Sequence, residues 1–513
     1  MQTTTARFEQ LARSDVRPIR ASNRIAFSKT LDPNIKYFTL DDSLLDGVDI
    51  LGFDGGFVQV WDRYIFDDYS DRIISQEITR SRDPIVPVTQ SIASFELQNT
   101  DGYFTPKSDS PIAEDLKPSR PVRLMGGFGN STIPLFAGLT DKTPQAEFGS
   151  RVARFDATDF LTYVFNLEIG QAIVLENKRT DEVIDTILQA VGLEPSQYIL
   201  DEGVNTIAFC YFEPDQLVGG AIRDLVQAEL GSLYLNESGL IRFENRSSLN
   251  STKAVSYEYT SKDIISIESS DEEDIINSVE IKSEVRKVLP SQVVFSYSQD
   301  DNNPVLVPAG ASAEFFFNFD NPVVSLDNIV SFVFNANLDG TGADTTTVMT
   351  VTNTTLFATS VKVEFTNSGL VDSYLRQLTM YGSPAKVVNV IKHTATDQTS
   401  IDDYGIKKLS ISNNYIQTLN EASDFANYVL IFYSMFDAII EVDVKGSPAI
   451  QINDFVRINS NVSKYNDLYI VDKIIHSYSD NKYQQKLRLR SSPITNPFTL
   501  DLSILDGPDM LGF

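Results

Sequence analysis

Cysteine, histidine, tryptophan and positive charge are all scarce in this 513-residue chain, and each shortage removes a class of function. Cys210 is the only cysteine, so no intrachain disulfide can form and the chain is not built on an oxidised framework. It lies in an apolar setting, Ala208-Phe209-Cys210-Tyr211, and the only histidines are His393 and His476. A Cys/His nucleophilic pair therefore has little support. His476 alternates with Ile474 and Ile475 before it and Tyr478 after it and reads as a strand residue, whereas His393 falls in a polar stretch and reads as an exposed connection. The sequence has no His-Glu-x-x-His, Cys-x-x-Cys or Gly-x-Ser-x-Gly, and no glycine-rich loop with a lysine to cradle phosphate. Metallopeptidase, thiol protease, serine hydrolase and nucleotidase readings fail at this step. No catalytic, cofactor-binding or metal site is expected.

Long hydrophobic runs are missing too. The longest, around residues 428–436, is far too short to span a bilayer. Residues 1–30 scatter arginines without an apolar segment, unlike a secretory signal. The expectation is a soluble protein made and used without membrane export or insertion. Lysine and arginine number 42 against 70 acidic residues, a net charge of −28 that repels phosphate backbones and anionic membranes alike. Solubility suffices to explain such a surface. An acidic lumen past which DNA slides without sticking is the sharper reading, and charge alone does not choose between them.

What is present points to β structure. Tyr (21) and Phe (32) are plentiful, and Val, Ile and Thr recur in short runs that suit pleated sheets. The length exceeds one core, so roughly two to four domains are expected. Residues 1–55 read as an N-terminal arm ending in a repeat. Candidate strands at 58–61, 64–69, 73–79, 92–97, 121–125, 133–139 and 152–156 make 56–165 a first antiparallel β domain. Residues 166–250 read as a small α+β domain. Thr180 is expected to cap its first helix, with Val183, Ile184, Ile187, Leu188 and Val191 on one face and Gly192 as the stop. A second helix is expected to start near Asp215 and stop at Gly231, and Asn236 to Gly239 read as a hairpin turn. Residues 251–289 return as strands, 290–385 read as an inserted β-sandwich, and 386–490 form a last β domain with one helix from Leu419 to about Phe432. Residues 491–513 are a tail.

Carboxylates are numerous enough to keep a glycosidase open, since that chemistry needs only two. Asp271-Glu272-Glu273-Asp274, however, is four like charges in a row and reads as a solvated turn. Asn335-x-Asn337-x-Asp339-Gly340 partly matches a calcium loop, but Thr346 stands where a bidentate Glu belongs, so an Asn-rich turn is expected. Trp61 and the tyrosines could line a sugar site, yet aromatics in β proteins are usually core.

One internal repeat stands out. FTLDDSLLDGVDILGF at 38–53 and FTLDLSILDGPDMLGF at 498–513 match at twelve of sixteen positions without a gap. Each copy sets an Asp-Gly turn between two apolar runs. The repeat is either a duplicated packing element or a pair of docking peptides. On the second reading the anchors are Phe38, Leu40, Leu45, Leu51 and Phe53, and Phe498, Leu500, Leu505, Leu511 and Phe513.

Six further segments carry a resemblance. Ser94-Phe95-Glu96-Leu97-Gln98-Asn99-Thr100-Asp101-Gly102-Tyr103-Phe104-Thr105-Pro106 resembles the strand-turn segment near the start of siphophage tail-hub proteins. Leu116-Lys117-Pro118-Ser119-Arg120-Pro121-Val122-Arg123 and Leu135-Phe136-Ala137-Gly138-Leu139-Thr140-Asp141 are similar to that family's next two segments. Asp402-Asp403-Tyr404-Gly405, and Ile452-Asn453-Asp454-Phe455-Val456-Arg457 followed by Tyr469-Ile470-Val471, resemble its last domain. Order and spacing over about 56–165 and 385–490 carry the likeness; the insertion and the repeats lie outside it.

The resemblance implies tube-like antiparallel β hub domains with an α+β domain between them, in a phage tail tip or baseplate hub that is not an enzyme. It implies a homotrimer forming a pseudo-six-fold ring in the virion, made in the host cytoplasm. The ring would join a six-fold distal tail protein or tail tube protein to tip or fibre proteins. Tape measure protein and then DNA would pass through its lumen, the DNA without specific binding. Two repeats in each of three chains would supply six docking peptides. The alternative is a receptor- or glycan-binding tail adhesin, with 290–385 as its carbohydrate-binding sandwich.

Overall fold

A computed structural model of the chain describes residues 2, 4–13, 17–27, 65–82, 88–106, 109–147, 149–269, 275–299, 304–327, 331–434, 439–460 and 465–491, less residues 251–253. Both copies of the repeat, Trp61 and the 271–274 acidic cluster lie outside these residues. The fold is mainly β with a small helical part.

Its backbone is one large sheet made from opposite ends of the sequence. Strands Ile73–Ser81, Ile92–Gln98, Val152–Asp159, Ser131–Thr140 and Pro121–Phe128 form the first half, and Ile264–Ser269, Ile439–Val444, Lys482–Ser491 and Asn466–Ser479 the second. The halves join where Ile73–Ser81 pairs antiparallel with Asn466–Ser479, from Lys473 opposite Ser81 to Ser479 opposite Ser75. Each half owns a core. Alternation in Ile92–Gln98 turns Ala93, Phe95 and Leu97 inward, where Phe95 and Phe155 stack at 5.0 Å. Tyr259, Val442, Val471 and Leu487 fill the second.

The start of the chain is more than an arm. Ala6–Ala12 is a helix, and Ile19–Ile25 pairs along its whole length with Pro121–Phe128. Hydrophobic alternation missed this strand because polar residues are buried on both of its faces, Asn23 on one and Ser22 on the other. Of the strand expected at 64–69, Asp67–Asp68 pairs, with Arg24 and Ile25.

Residues 166–250 contain a two-stranded sheet (Ile173–Arg179 with Thr206–Phe212), a three-stranded sheet and the helices Thr180–Ala190 and Val218–Glu229. Thr180 is not the cap but the first helical residue. Its hydroxyl donates to the buried Glu229 carboxylate at 2.8 Å, and Arg179 takes the cap position. The second helix starts at Val218 and is terminated by Leu230 in the left-handed region (φ 55°), one residue before Gly231.

The insertion is tied to the body by one strand of 24 residues, Ser373–Thr396. Its first half crosses the sandwich, pairing with Gln292–Ser298 on one side and Ser331–Asn335 on the other. Its second half forms a neck with Ser278–Val288, to which Lys408–Ser412 adds in parallel. The boundary expected at 385 therefore falls inside a continuous strand. His393 sits on this strand opposite Ile281, half-buried, and is not in a polar connection. Leu419–Tyr433 covers one face of the neck, capped reciprocally by Thr418 and Glu421. A second helix, Gln398–Tyr404, precedes it where one was expected.

Candidate functional site

The strand Ile73–Ser81 turns Gln76, Ile78 and Arg80 inward at every second position, so its alternation carries a guanidinium into the interior. There three units of the fold meet. Arg80 pairs with Glu237 of the α+β unit, the two side chains 4% and 9% exposed, and donates to the Leu235 carbonyl at 2.9 Å. Glu237 in turn accepts from Gln451 of the last β unit at 2.5 Å. Alongside, Arg82 donates to Asn453 Oδ1 at 2.8 Å, and Asn453 Nδ2 donates to Glu244 at 2.7 Å. Asn453 adopts φ +66°, a conformation that asparagine tolerates better than most residues.

Charges this deep cost free energy unless every partner is in place. For Arg80 and Glu237 the junction supplies them from three separate stretches of sequence, while the buried Arg82 Nε has no partner among the described residues. Burial first, then the Glu244 and Glu237 carboxylates, push the Tyr234 hydroxyl above its usual range, so it stays neutral beside them. His476, whose Nδ1 lies 2.7 Å from the Tyr483 hydroxyl, is held down to about 3 by burial and by the charge of Arg80. A wholly buried Arg490 forms a second lock. It donates to Asp472 at 2.8 and 3.2 Å and lies 4.2 Å over the Phe432 ring, binding the last sheet to the Leu419–Tyr433 helix.

The Cys210 thiol is pushed up to about 12 by burial, which keeps it protonated. It borders a cavity of about 260 Å³ between the α+β unit and the neck, lined also by Tyr211, Glu213, Glu284, Arg286 and Gln417. Gln417 completes the neighbouring strand edge, accepting from the Ala208 amide and donating to the Phe209 carbonyl. Glu213 accepts from the Thr359 hydroxyl at 2.6 Å, which docks the insertion against the α+β unit. The Asn335 and Asp339 side chains are spent within their own turn, on the backbones of Gly340, Gly342, Asn337 and Thr341. The ten anchor residues expected in the repeats lie outside the described residues. Sequence reasoning missed Arg80, Arg82 and Glu237; the available signal was an arginine on the inward side of an alternating strand.

The fold and junction define a mainly β, multi-unit protein whose buried polar groups serve contacts between units. No helix among the described residues is long and apolar enough to cross a membrane. A scan against protein-family models finds no match, and neither does a comparison with curated proteins. Solved structures similar to this chain include phage tail and baseplate proteins and a component of an E. coli type VI secretion system. One is the 43 kDa tail protein of prophage MuSo2 from Shewanella oneidensis, at 10% identity and a TM-score of 0.46, covering 83% of this chain and 94% of that one. A tail protein from Neisseria meningitidis MC58 has 9% identity and a TM-score of 0.46, with 83% and 93% covered. The prophage tail protein gp18 from Listeria monocytogenes EGD-e has 8% identity and a TM-score of 0.41, with 85% and 94% covered.

Replacing Arg80 by Met strands Glu237 in the interior and should cost about 3–5 kcal/mol, read by denaturant unfolding. The double variant R80M/E237M should recover a substantial part of that loss. The folded pKa of His476 lies below its unfolded value of 6.5, so the unfolded chain binds the extra proton. Stability from this group is complete above pH 6.5 and is lost as pH falls from 6.5 towards 3. His476→Gln should flatten the pH dependence of unfolding in that window relative to the parent chain.

Proposed function

We propose that this chain is a non-enzymatic structural hub of a phage tail tip, acting as a homotrimeric ring that links the tail tube or distal tail ring to the tip. The observation that carries the reading is the continuous sheet formed where Asn466–Ser479 pairs with Ile73–Ser81. It fuses two β units from opposite ends of the chain into one body and gives each subunit two sheet-built blocks. Three such subunits would present six blocks to a six-fold ring while keeping three-fold symmetry towards the tip. The order of the hub-like segments along the sequence supports the same reading, as does the use of buried charge to fix one unit against another.

In this reading tape measure protein and then DNA pass through the lumen, and the net charge of −28 keeps the channel from holding the DNA. The two LDG repeats act as docking peptides through the apolar anchors already named. Light scattering of the purified protein should give a mass near three times 57.2 kDa. A chain lacking residues 498–513 should fail to assemble or to attach to tails. Normal assembly and attachment by that chain would remove the docking role. Sugar binding by the intact protein, lost on altering the 290–385 sandwich, would favour the adhesin alternative.

A further inference from the structure

The cavity of about 260 Å³ beside Cys210 is walled by three stretches of sequence, each pinned by its own hydrogen bonds. Gln417 clasps the strand Thr206–Phe212 at Ala208 and Phe209. Asn414 accepts from the Glu284 amide at 3.0 Å, and Asn413 donates to the Asp224 carbonyl at 2.8 Å. The turn at 413–415 therefore joins the neck to the Val218–Glu229 helix. Arg286 donates one guanidinium nitrogen to the Ala385 carbonyl across the ladder at 3.2 Å. Walls fixed in this way are set before anything enters, which keeps the ordering cost of binding small.

Much of the hydrogen-bonding capacity around the cavity is unspent. Among the described residues, the Glu284 carboxylate makes no hydrogen bond and no ion pair; only its backbone amide is engaged. Glu213 uses one oxygen, on Thr359, and Arg286 leaves two of its nitrogens open. Gln216 is held through its backbone alone, by Ile169 and Glu213. Arg286 pairs with neither carboxylate among the described residues, although all three side chains line the same space.

These unspent groups are planar and two-pronged: two carboxylates, a guanidinium and a carboxamide. Neighbouring hydroxyls on a ring suit such a set, because each hydroxyl donates to a carboxylate and accepts from a guanidinium or an amide. Tyr211, its ring centroid 6.1 Å from that of Phe209, adds an aromatic face for the C–H side of such a ring. Two carboxylates against one guanidinium leave the wall negative by one charge, which disfavours an anion. The volume is below the range of drug-sized pockets and matches one small ring.

We propose that this cavity is a binding site for a single pyranose ring of a saccharide, held by Glu213, Glu284, Arg286 and Gln216 against Tyr211. The site lies outside the 290–385 sandwich and so differs from the carbohydrate-binding reading of that unit. It does not depend on ring assembly either. Its walls come from the α+β unit, the neck and the segment after Lys408–Ser412, so a bound sugar bridges them.

Saturation-transfer NMR of the purified full chain with glucose, galactose, mannose, rhamnose and N-acetylglucosamine makes the test. At least one should bind saturably at millimolar concentration, and no transfer to any of them would overturn the proposal. Glu284 is exposed, so Glu284→Gln keeps the fold, and thermal melting without sugar checks this for it and for Tyr211→Leu. Each variant should weaken binding about tenfold or more. Unchanged binding in the folded Glu284→Gln chain would overturn the site. Binding that survives there but is lost on replacing Asn337 and Asp339 by Ala would place the sugar on the sandwich, with the same consequence. Stronger binding of glycine or lysine than of every sugar would overturn the ligand class. Mass in solution reads the hub proposal separately, so either can fail alone.

Discussion

Arg80 leaves a strand of the first β unit, pairs with Glu237 of the α+β unit and, through it, reaches Gln451 of the last β unit. The relative placement of the three units depends on that chain of contacts. A guanidinium and a carboxylate taken this far from water lose several kcal/mol of solvation each, and only a full set of partners offsets it. The Leu235 carbonyl and the Gln451 amide complete the set. A slip of one unit against another would leave a buried charge unpaired, so the contact contributes to specificity of arrangement more than to total stability. The neighbouring Arg82–Asn453–Glu244 chain imposes the same condition a short distance away.

Strand pairing and buried charge divide the work between them. The ladder between Ile73–Ser81 and Asn466–Ser479 fixes register along the joined sheet. Arg490, held by Asp472 and stacked on Phe432, fixes the helix that covers the neck. The insertion is held differently, by the neck strands and the Thr359–Glu213 hydrogen bond. The cavity lined by Glu213, Glu284 and Arg286 lies in the wedge between them.

Much of the fold was legible because it follows local rules. Alternation located Ile92–Gln98 and Ile439–Val444, and helical spacing located Val183, Ile184, Ile187 and Leu188 on one buried face, though Val191, expected with them, is the C-cap. The Thr418/Glu421 capping pair marks the start of the last helix. What local rules do not carry was missed. Ile19–Ile25 turns polar residues inward, so no apolar period announces it. His393 looked like a connection because Lys392 before it and Thr394, Thr396, Asp397 and Gln398 after it are polar. The boundary at 385 failed because a single strand serves two units. Arg80 and Glu237 are 157 residues apart in sequence, and nothing at either position names the other. The repeats were plain in the sequence, while their anchor residues fall outside the described part of the chain.

Closure of three copies of a two-block subunit into a ring, the central proposal, is tested directly by electron-microscope class averages of the protein, alone and within intact tails. A three-fold ring with a central hole and six blocks around its rim, placed between the tube and the tip, is expected. An elongated rod projecting from the side of the tail, or a ring of another order, would contradict it.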